Sequence, residues 1–365
     1  MSKPIRVLQV VTHMNRGGLE TMLMNYYRHI DREKVQFDFL VHRHERAAYD
    51  NEIEALGGRI YRLPRLVPWS ISYHRALNAF FEEHTEYRVV HVHQDCLSSV
   101  ILKVAQKHGI PVRIAHSHST SQDKDLKYII KLICKKSIPD YATELFACGK
   151  EAGQWMFGGA PFRILNNAID AEQYRVNPAR AASVRNALKI PADALVVGHV
   201  GRFSPPKNHN FLIDIFAEIH RLEPNAYLLL VGDGELRPGI EEKVWTRGLD
   251  NNVIFTGVRS DVPDLMQTMD VFVFPSLYEG LGIVIIEAQA AGIPCVISDN
   301  IPSACDLTEL IHRLSLDEPA KRWAQKAFSL QKDDNDNYMQ IAEAGFDIEE
   351  NAQWLQNYYL SCNSI

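Results

Sequence analysis

The sequence predicts an α/β protein of two domains, each built on a parallel sheet with helices on both faces. Three observations carry that expectation. Short runs rich in Val and Ile alternate with longer segments of helical period over about 300 residues, the pattern of strands joined by crossover helices. The chain has 365 residues, more than one hydrophobic core ordinarily holds. The alternation also stops at Arg163–Asp170 and a polar, helix-like stretch to about residue 189, then restarts.

In the first half the spacing predicts strands near 5–11, 36–41, 59–63, 88–92, 111–116 and 144–148, with helices near 19–30, 73–84, 97–108 and 124–137. In the second half it predicts strands near 195–200, 226–231, 252–256, 270–274 and 293–298, with the hinge at 168–172. From about residue 304 onward the chain reads as helices. Its last stretch, 348–361, is amphipathic and suited to packing back on the first domain. The expected division is therefore 1–170, 171–345 and a terminal helix in 346–365.

Composition narrows the function. Lys and Arg number 39 against 45 Asp and Glu, a net charge of −6, so no broad cationic face for nucleic acid is expected. Six scattered cysteines without a Cys-x-x-Cys pair, and no signal peptide or long apolar run, predict a cytoplasmic protein.

Open parallel sheets bind ligands beyond the carboxyl ends of their strands, so two such edges facing across a cleft are where a site is expected. After the first strand come Gly17 and Gly18, then a helix; paired glycines let a backbone approach an anion, although a plain strand-to-helix turn wants them too. This is not the Gly-x-Gly-x-x-Gly dinucleotide fingerprint. After the first strand of the second half, Arg202 and Lys207 can neutralise phosphate oxygens. Further on, Phe274–Pro294 holds Glu279, a Gly-rich turn and Glu287, with seven residues between the glutamates. Amides from Gly280, Leu281, Gly282 and Ile283 suit a diphosphate, and the two carboxylates suit sugar hydroxyls.

This series resembles the retaining glycosyltransferases of GT-B fold with the Glu-x7-Glu signature, the family-4 or group-1 glycosyl transferases, and among them bacterial exopolysaccharide-biosynthesis members. Met14–Thr21, Phe37–Leu40, His116–Ser119, Ala147–Lys150, Gly232–Gly234 and Ile297–Asp299 carry the likeness with the glutamate block. The resemblance implies a nucleoside-diphosphate sugar as donor, expected to be UDP-linked, a saccharide or lipid-linked acceptor, and no metal or other cofactor. It implies that Gly17, Gly18, Arg202, Lys207 and the Gly280–Ile283 amides hold the diphosphate. Glu279 would contact the transferred sugar, Glu287 the ribose, and His118 or His116 would face the sugar, with His118 favoured because it lies further towards the cleft.

Two departures stand out. Ala168 follows Asn167 where relatives carry glycine, which disfavours a left-handed turn, and Asn300–Asp306 replaces a Gly-Gly segment. Asp-x-Asp pairs at Asp123/Asp125 and Asp334/Asp336 read as polar loops rather than metal ligands. Lys127, Lys131 and Lys135, beside Ile129, Ile130, Leu132 and Ile133, give a basic stripe that suits peripheral contact with anionic lipid. The aromatic loop Leu66–Ser70 is expected on the acceptor side. A nucleotide-sugar 2-epimerase and a non-catalytic nucleotide-sugar-binding partner remain alternative readings.

Overall fold

The computed structural model describes residues 3–119, 128–332 and 337–362. The chain forms two compact units: residues up to Ala168 together with the segment from Gly345 onward, and Ile169–Ala344. Each is a parallel sheet flanked by helices, the α/β architecture that the sequence predicts.

The first unit holds β1 (Ile5–Val11), β2 (Val35–Val41), β3 (Ile60–Arg62), β4 (Val89–Val92), β5 (Val112–Ser117), β6 (Glu144–Ala147) and β7 (Arg163–Ile164). Their order is β3-β2-β1-β4-β5-β6-β7, with all neighbours parallel. Alternation along β1 sends Val7 and Val11 into a core with Phe37, Phe39 and Ile114, and sends Leu8 and Val10 into a second core with Leu40, Val90 and Ile101. Burial on both faces is why β1 and β2 read as nearly unbroken apolar runs. The helix Ile348–Ser361 is capped by Asp347, whose Oδ1 accepts from the Glu350 amide at 3.1 Å. Its Ile348, Ala352, Leu355 and Tyr359 join the first of these cores.

The second unit holds β8 (Leu195–Val200), β9 (Ala226–Val231), β10 (Val253–Gly257), β11 (Val271–Phe274), β12 (Cys295–Ser298) and β13 (Ile311–Leu314), in the order β10-β9-β8-β11-β12-β13. Strand order reverses between β1 and β4 in one sheet and between β8 and β11 in the other. Those reversals open crevices at the carboxyl ends of the strands, the standard ligand positions of this architecture.

Several expectations need correction. The segment after residue 304 is not wholly helical, since β13 pairs in parallel with β12. Its four residues, Ile-His-Arg-Leu, are all partly exposed at a sheet edge, so they lack the apolar run that marks an inner strand. The two-residue β7 and the helix Lys150–Phe157 were likewise not expected. The turn at Ala168 needs no left-handed residue: its amide donates to Asn166 O at 2.8 Å, and Ala168 is absent from the positive-φ residues. Its methyl is buried in the core, which a glycine would leave unfilled. Of the helix expected over 124–137, Tyr128–Lys136 is helical, and Lys127 lies outside the described residues.

Candidate functional site

In the second unit the loops after β8 and β11 meet at the reversal point. Lys207 Nζ lies 2.7 Å from Glu279 Oε1, and also 4.8 Å from the centre of the Phe274 ring. The Leu277 amide donates to Pro206 O at 2.8 Å and ties the two loops together. Both charged side chains are largely buried, so salt screens them less than a surface pair. Arg202 instead reaches Glu235 Oε2 at 3.0 Å with its side chain 73% exposed. A pair so exposed contributes little and is readily exchanged for another anion. Glu235 was not singled out in the sequence, because a glutamate on a turn carries no distinguishing pattern.

Glycines let these loops pack closely. A Cβ on Gly232 would lie 2.1 Å from Gly201 O, and one on Gly234 would lie 2.5 Å from Phe203 O. The turn after β9 therefore rests directly on the loop that carries Arg202, which explains the Gly232-Asp-Gly234 fragment.

The helix after β11 runs Ile283–Ala290, starting one or two residues later than the expected Leu281 or Gly282. Gly282 is its N-cap at φ 81°, a left-handed conformation that favours glycine, and no side chain caps the helix. The opening amides, beginning with Ile283, are thereby suited to an anion. Gly280 is exposed, whereas the Leu281 side chain is buried, so Leu281 can serve only through its backbone. Glu287 is buried four residues into this helix. Burial pushes its carboxyl up to about 7, opposed by a hydrogen bond from Tyr174. The Asn300–Asp306 departure is an ordered loop: Arg313 donates to Ile301 O at 2.6 Å and pairs with Asp306, while Gln289 donates to Cys305 O at 2.8 Å.

In the first unit Gly17 is the extended N-cap of the helix Gly18–His29, again without a side-chain cap, and both glycines are exposed. A Cβ on Gly17 would lie 2.4 Å from Glu20 Oε2. Burial pushes the Glu20 carboxyl up to about 7, which lessens the negative charge beside these amides. Sequence reasoning had not assigned Glu20 a role.

His116 is the last residue but one of β5, and His118 follows the strand. Two residues apart on extended chain, their rings lie on one side with centres 4.0 Å apart. They belong to a cluster that was not foreseen. His118 Nε2 lies 2.9 Å from His93 Nδ1, and His116 Nδ1 lies 3.2 Å from His91 Nε2. Asp95, at φ 45°, adds a buried carboxyl whose Oδ2 accepts from Ser119 Oγ at 3.3 Å. Burial lowers the basicity of all four rings, taking His118 to about 3. His91, His93 and His116 have ring nitrogens within 4.8 Å of one another, which is a metal-capable spacing. The Asp123/Asp125 and Asp334/Asp336 pairs lie outside the described residues.

Residues 16–173 match the family model Glycosyltransferase Family 4, and residues 182–346 match Glycosyl transferases group 1. The chain is 39% identical over 368 residues to the putative glycosyltransferase EpsF of Bacillus subtilis, covering 97% of this chain and 96% of that protein. It is 25% identical over 370 residues to the capsular polysaccharide biosynthesis glycosyltransferase CapH of Staphylococcus aureus, covering 98% and 99%. HepE of Anabaena, solved in complex with UDP and glucose, shares the fold with a TM-score of 0.78 at 20% identity, covering 97% of this chain and 99% of that one. The chain therefore belongs to the family-4, group-1 glycosyltransferases and carries their GT-B pair of Rossmann-like domains.

Proposed function

We propose that this glycosyltransferase moves a sugar from a UDP-linked donor to a saccharide or lipid-linked saccharide, with retention and without a metal ion, in exopolysaccharide or capsule synthesis. The observation that carries the reading is the Lys207–Glu279 pair, set where the β8 and β11 loops meet ahead of an uncapped helix start. Glycosyl transfer needs charge stabilised as the diphosphate departs, and an ammonium with aligned amides supplies that without reorganisation. Arg202 can leave the exposed Glu235 and fork onto a phosphate. Once phosphate competes for Lys207, the Glu279 carboxylate is released to accept hydrogen bonds from the transferred sugar. Glu287 takes the ribose hydroxyls, the Gly17 and Gly18 backbone approaches the diphosphate, and His118 with His116 faces the sugar. Retention rests on the family resemblance, and the HepE complex supports UDP. The family match favours transfer over the isomerase and non-catalytic readings.

A cavity of about 240 Å³ in the first unit, lined by Arg43, Arg65 and Trp69 among others, supports an acceptor-side role for the Leu66–Ser70 loop. On the helix Tyr128–Lys136, Ile129 and Ile133 are 71% and 65% exposed beside Lys135 and Lys136. That face supports peripheral contact with anionic lipid at the cytoplasmic side of a membrane. No helix among the described residues is long and apolar enough to cross a membrane. A Lys131/Lys135/Lys136→Glu variant is expected to lose sedimentation with anionic vesicles while keeping its melting temperature; equal sedimentation would remove membrane contact from the reading.

The central test is donor turnover. A panel of UDP-, GDP- and ADP-sugars is screened by thermal shift, since a ligand that binds the folded state raises the melting temperature. With the selected donor, Lys207→Ala and Glu279→Gln are each expected to lower kcat roughly 10²–10³-fold, the scale of losing one preorganised stabilising group. Full rates at limiting donor in both variants would refute the assignment.

A further inference from the structure

A continuous chain of polar side chains, buried except for the half-buried His118, runs beneath the carboxyl ends of β1, β4 and β5. In order it is His118, His93, Gln9, Tyr359, His91 and His116. The links are His118 Nε2 to His93 Nδ1 at 2.9 Å, His93 Nε2 to Gln9 Oε1 at 3.0 Å, and Gln9 Nε2 to Tyr359 OH at 3.3 Å. They continue from Tyr359 OH to His91 Nδ1 at 2.7 Å and from His91 Nε2 to His116 Nδ1 at 3.2 Å. Tyr359 arrives from the terminal helix, 350 residues beyond Gln9. Both ends are open: His116 Nε2 and His118 Nδ1 are buried and have no hydrogen-bond partner among the described residues.

Donor and acceptor counts constrain this chain. A neutral imidazole has one donor and one acceptor nitrogen, and a phenol has one proton. Suppose Gln9 turns its NH₂ to Tyr359. The phenol proton then goes to His91 Nδ1, so His91 donates from Nε2 to His116, leaving His116 Nε2–H as an open donor. On the other branch His93 donates to Gln9 Oε1 and accepts from His118 Nε2–H, leaving His118 Nδ1 as an open acceptor. All four rings are then Nε2–H tautomers. Flipping the Gln9 amide reverses every link, all four become Nδ1–H tautomers, and the open ends exchange roles. Either way the ends are one donor and one acceptor, side by side.

We propose that Tyr359 and Gln9 are positioning residues that lock the four histidines into one shared tautomer, so that His116 and His118 together read a single hydroxyl of the bound sugar. This deepens the reading above, in which the two histidines face the sugar, and it rests on that reading. A hydroxyl donates and accepts at once, so it satisfies both ends. A carboxylate or an ammonium satisfies only one. A network with a purely structural role would end on paired groups, because a buried polar atom left unpaired is costly. Two ends left open among the described residues, on rings whose centres lie 4.0 Å apart, point to a ligand that completes them.

The test uses the full chain labelled with ¹⁵N-histidine and long-range ¹H–¹⁵N correlation at neutral pH. The expected result is four neutral rings, His91, His93, His116 and His118, all of the same tautomer. Mixed tautomers, a charged ring, or nitrogens of His91, His93 and His116 shifted by a bound metal ion would overturn the proposal without recourse to any variant. Tyr359→Phe, folded as judged by its melt, is expected to lose the shared tautomer. Its affinity for the best-bound of UDP-glucose, UDP-galactose and UDP-N-acetylglucosamine should fall roughly tenfold, the scale of one lost hydrogen bond at a polar pair, while UDP affinity stays unchanged. Equal sugar-nucleotide affinity in variant and wild type would overturn the hydroxyl reading. Failure of the transferase reading itself would look different, as no binding of UDP at all with the tautomers intact.

Discussion

At the scale of single residues, Glu287 joins a stability cost to a binding role. Its carboxyl titrates near 7 in the folded chain against 4.5 ordinarily, because it is desolvated in the helix Ile283–Ala290. The raised value means that its contribution is fully present below pH 4.5 and is lost as pH rises through 7. Glu287→Gln, neutral throughout, is therefore expected to match wild type at pH 4.5 and to melt several degrees higher at pH 8, an effect on the order of 3 kcal/mol. The same variant should show a smaller melting shift with UDP, since the amide accepts fewer hydrogen bonds from ribose. A variant that melts lower than wild type at pH 8 would contradict this account. Glu279, Glu287 and Lys207 were legible in the sequence because each sits where a strand run gives way to a loop or helix of unusual composition. Gln9, Tyr359 and Asp95 were not. Gln9 lies inside an apolar strand, Tyr359 looks like one more residue on an amphipathic helix, and only tertiary packing brings them to the histidines.

Among the elements, β2 shows how a buried charge can sit inside an apolar strand. Asp38, wholly buried, is clasped by Arg6 from β1 through two bonds of 2.5 Å, and it accepts from Tyr87 OH and the Arg59 amide, each at 2.7 Å. The Phe37–Leu40 fragment, read in the sequence as part of a family likeness, thus has a structural role in joining β2 to β1 and to the start of β3. Asp38→Ala strands a largely buried guanidinium and two donors, and is expected to destabilise the first unit by about 3–5 kcal/mol in denaturant unfolding. A loss below about 1 kcal/mol would show that water replaces the carboxylate, as it does at exposed pairs. Inner strands such as β1, β8 and β9 were legible because burial on both faces demands Val, Ile and Leu in sequence. The edges were not: β7 is two exposed residues, and β13 carries His312 and Arg313 between its apolar ends. Parallel pairing to one neighbour suffices to hold such edges, so their sequences keep no strand signature.

For the whole molecule, buried neutral histidines set the response to acid, and they are unevenly shared. The first unit buries His42, His91, His93 and His116 and half-buries His118, each lowered from 6.5, chiefly by desolvation. The second unit buries His199 and His209 in the same way, with the half-buried His312 less affected. A folded value below the unfolded one means stability present above pH 6.5 and lost as pH falls, because the unfolded chain takes up protons that the folded one refuses. Raised carboxyls run the other way: Glu20 and Asp95 in the first unit, Glu287 in the second. Five lowered rings against two raised carboxyls in the first unit, and three lowered rings against one raised carboxyl in the second, make the net proton uptake on acid unfolding larger for the first, which therefore loses stability more steeply. Incubation at pH values from 7 to 4.5, then pulsed hydrogen exchange at one common pH, should show β1, β4 and β5 opening before β8, β9 and β11. A steeper acid dependence of opening in the second unit than in the first would mean that the five rings are not neutral in the folded chain. The tautomer lock would fall with them, because a doubly protonated imidazole has no acceptor nitrogen to pass the alternation on.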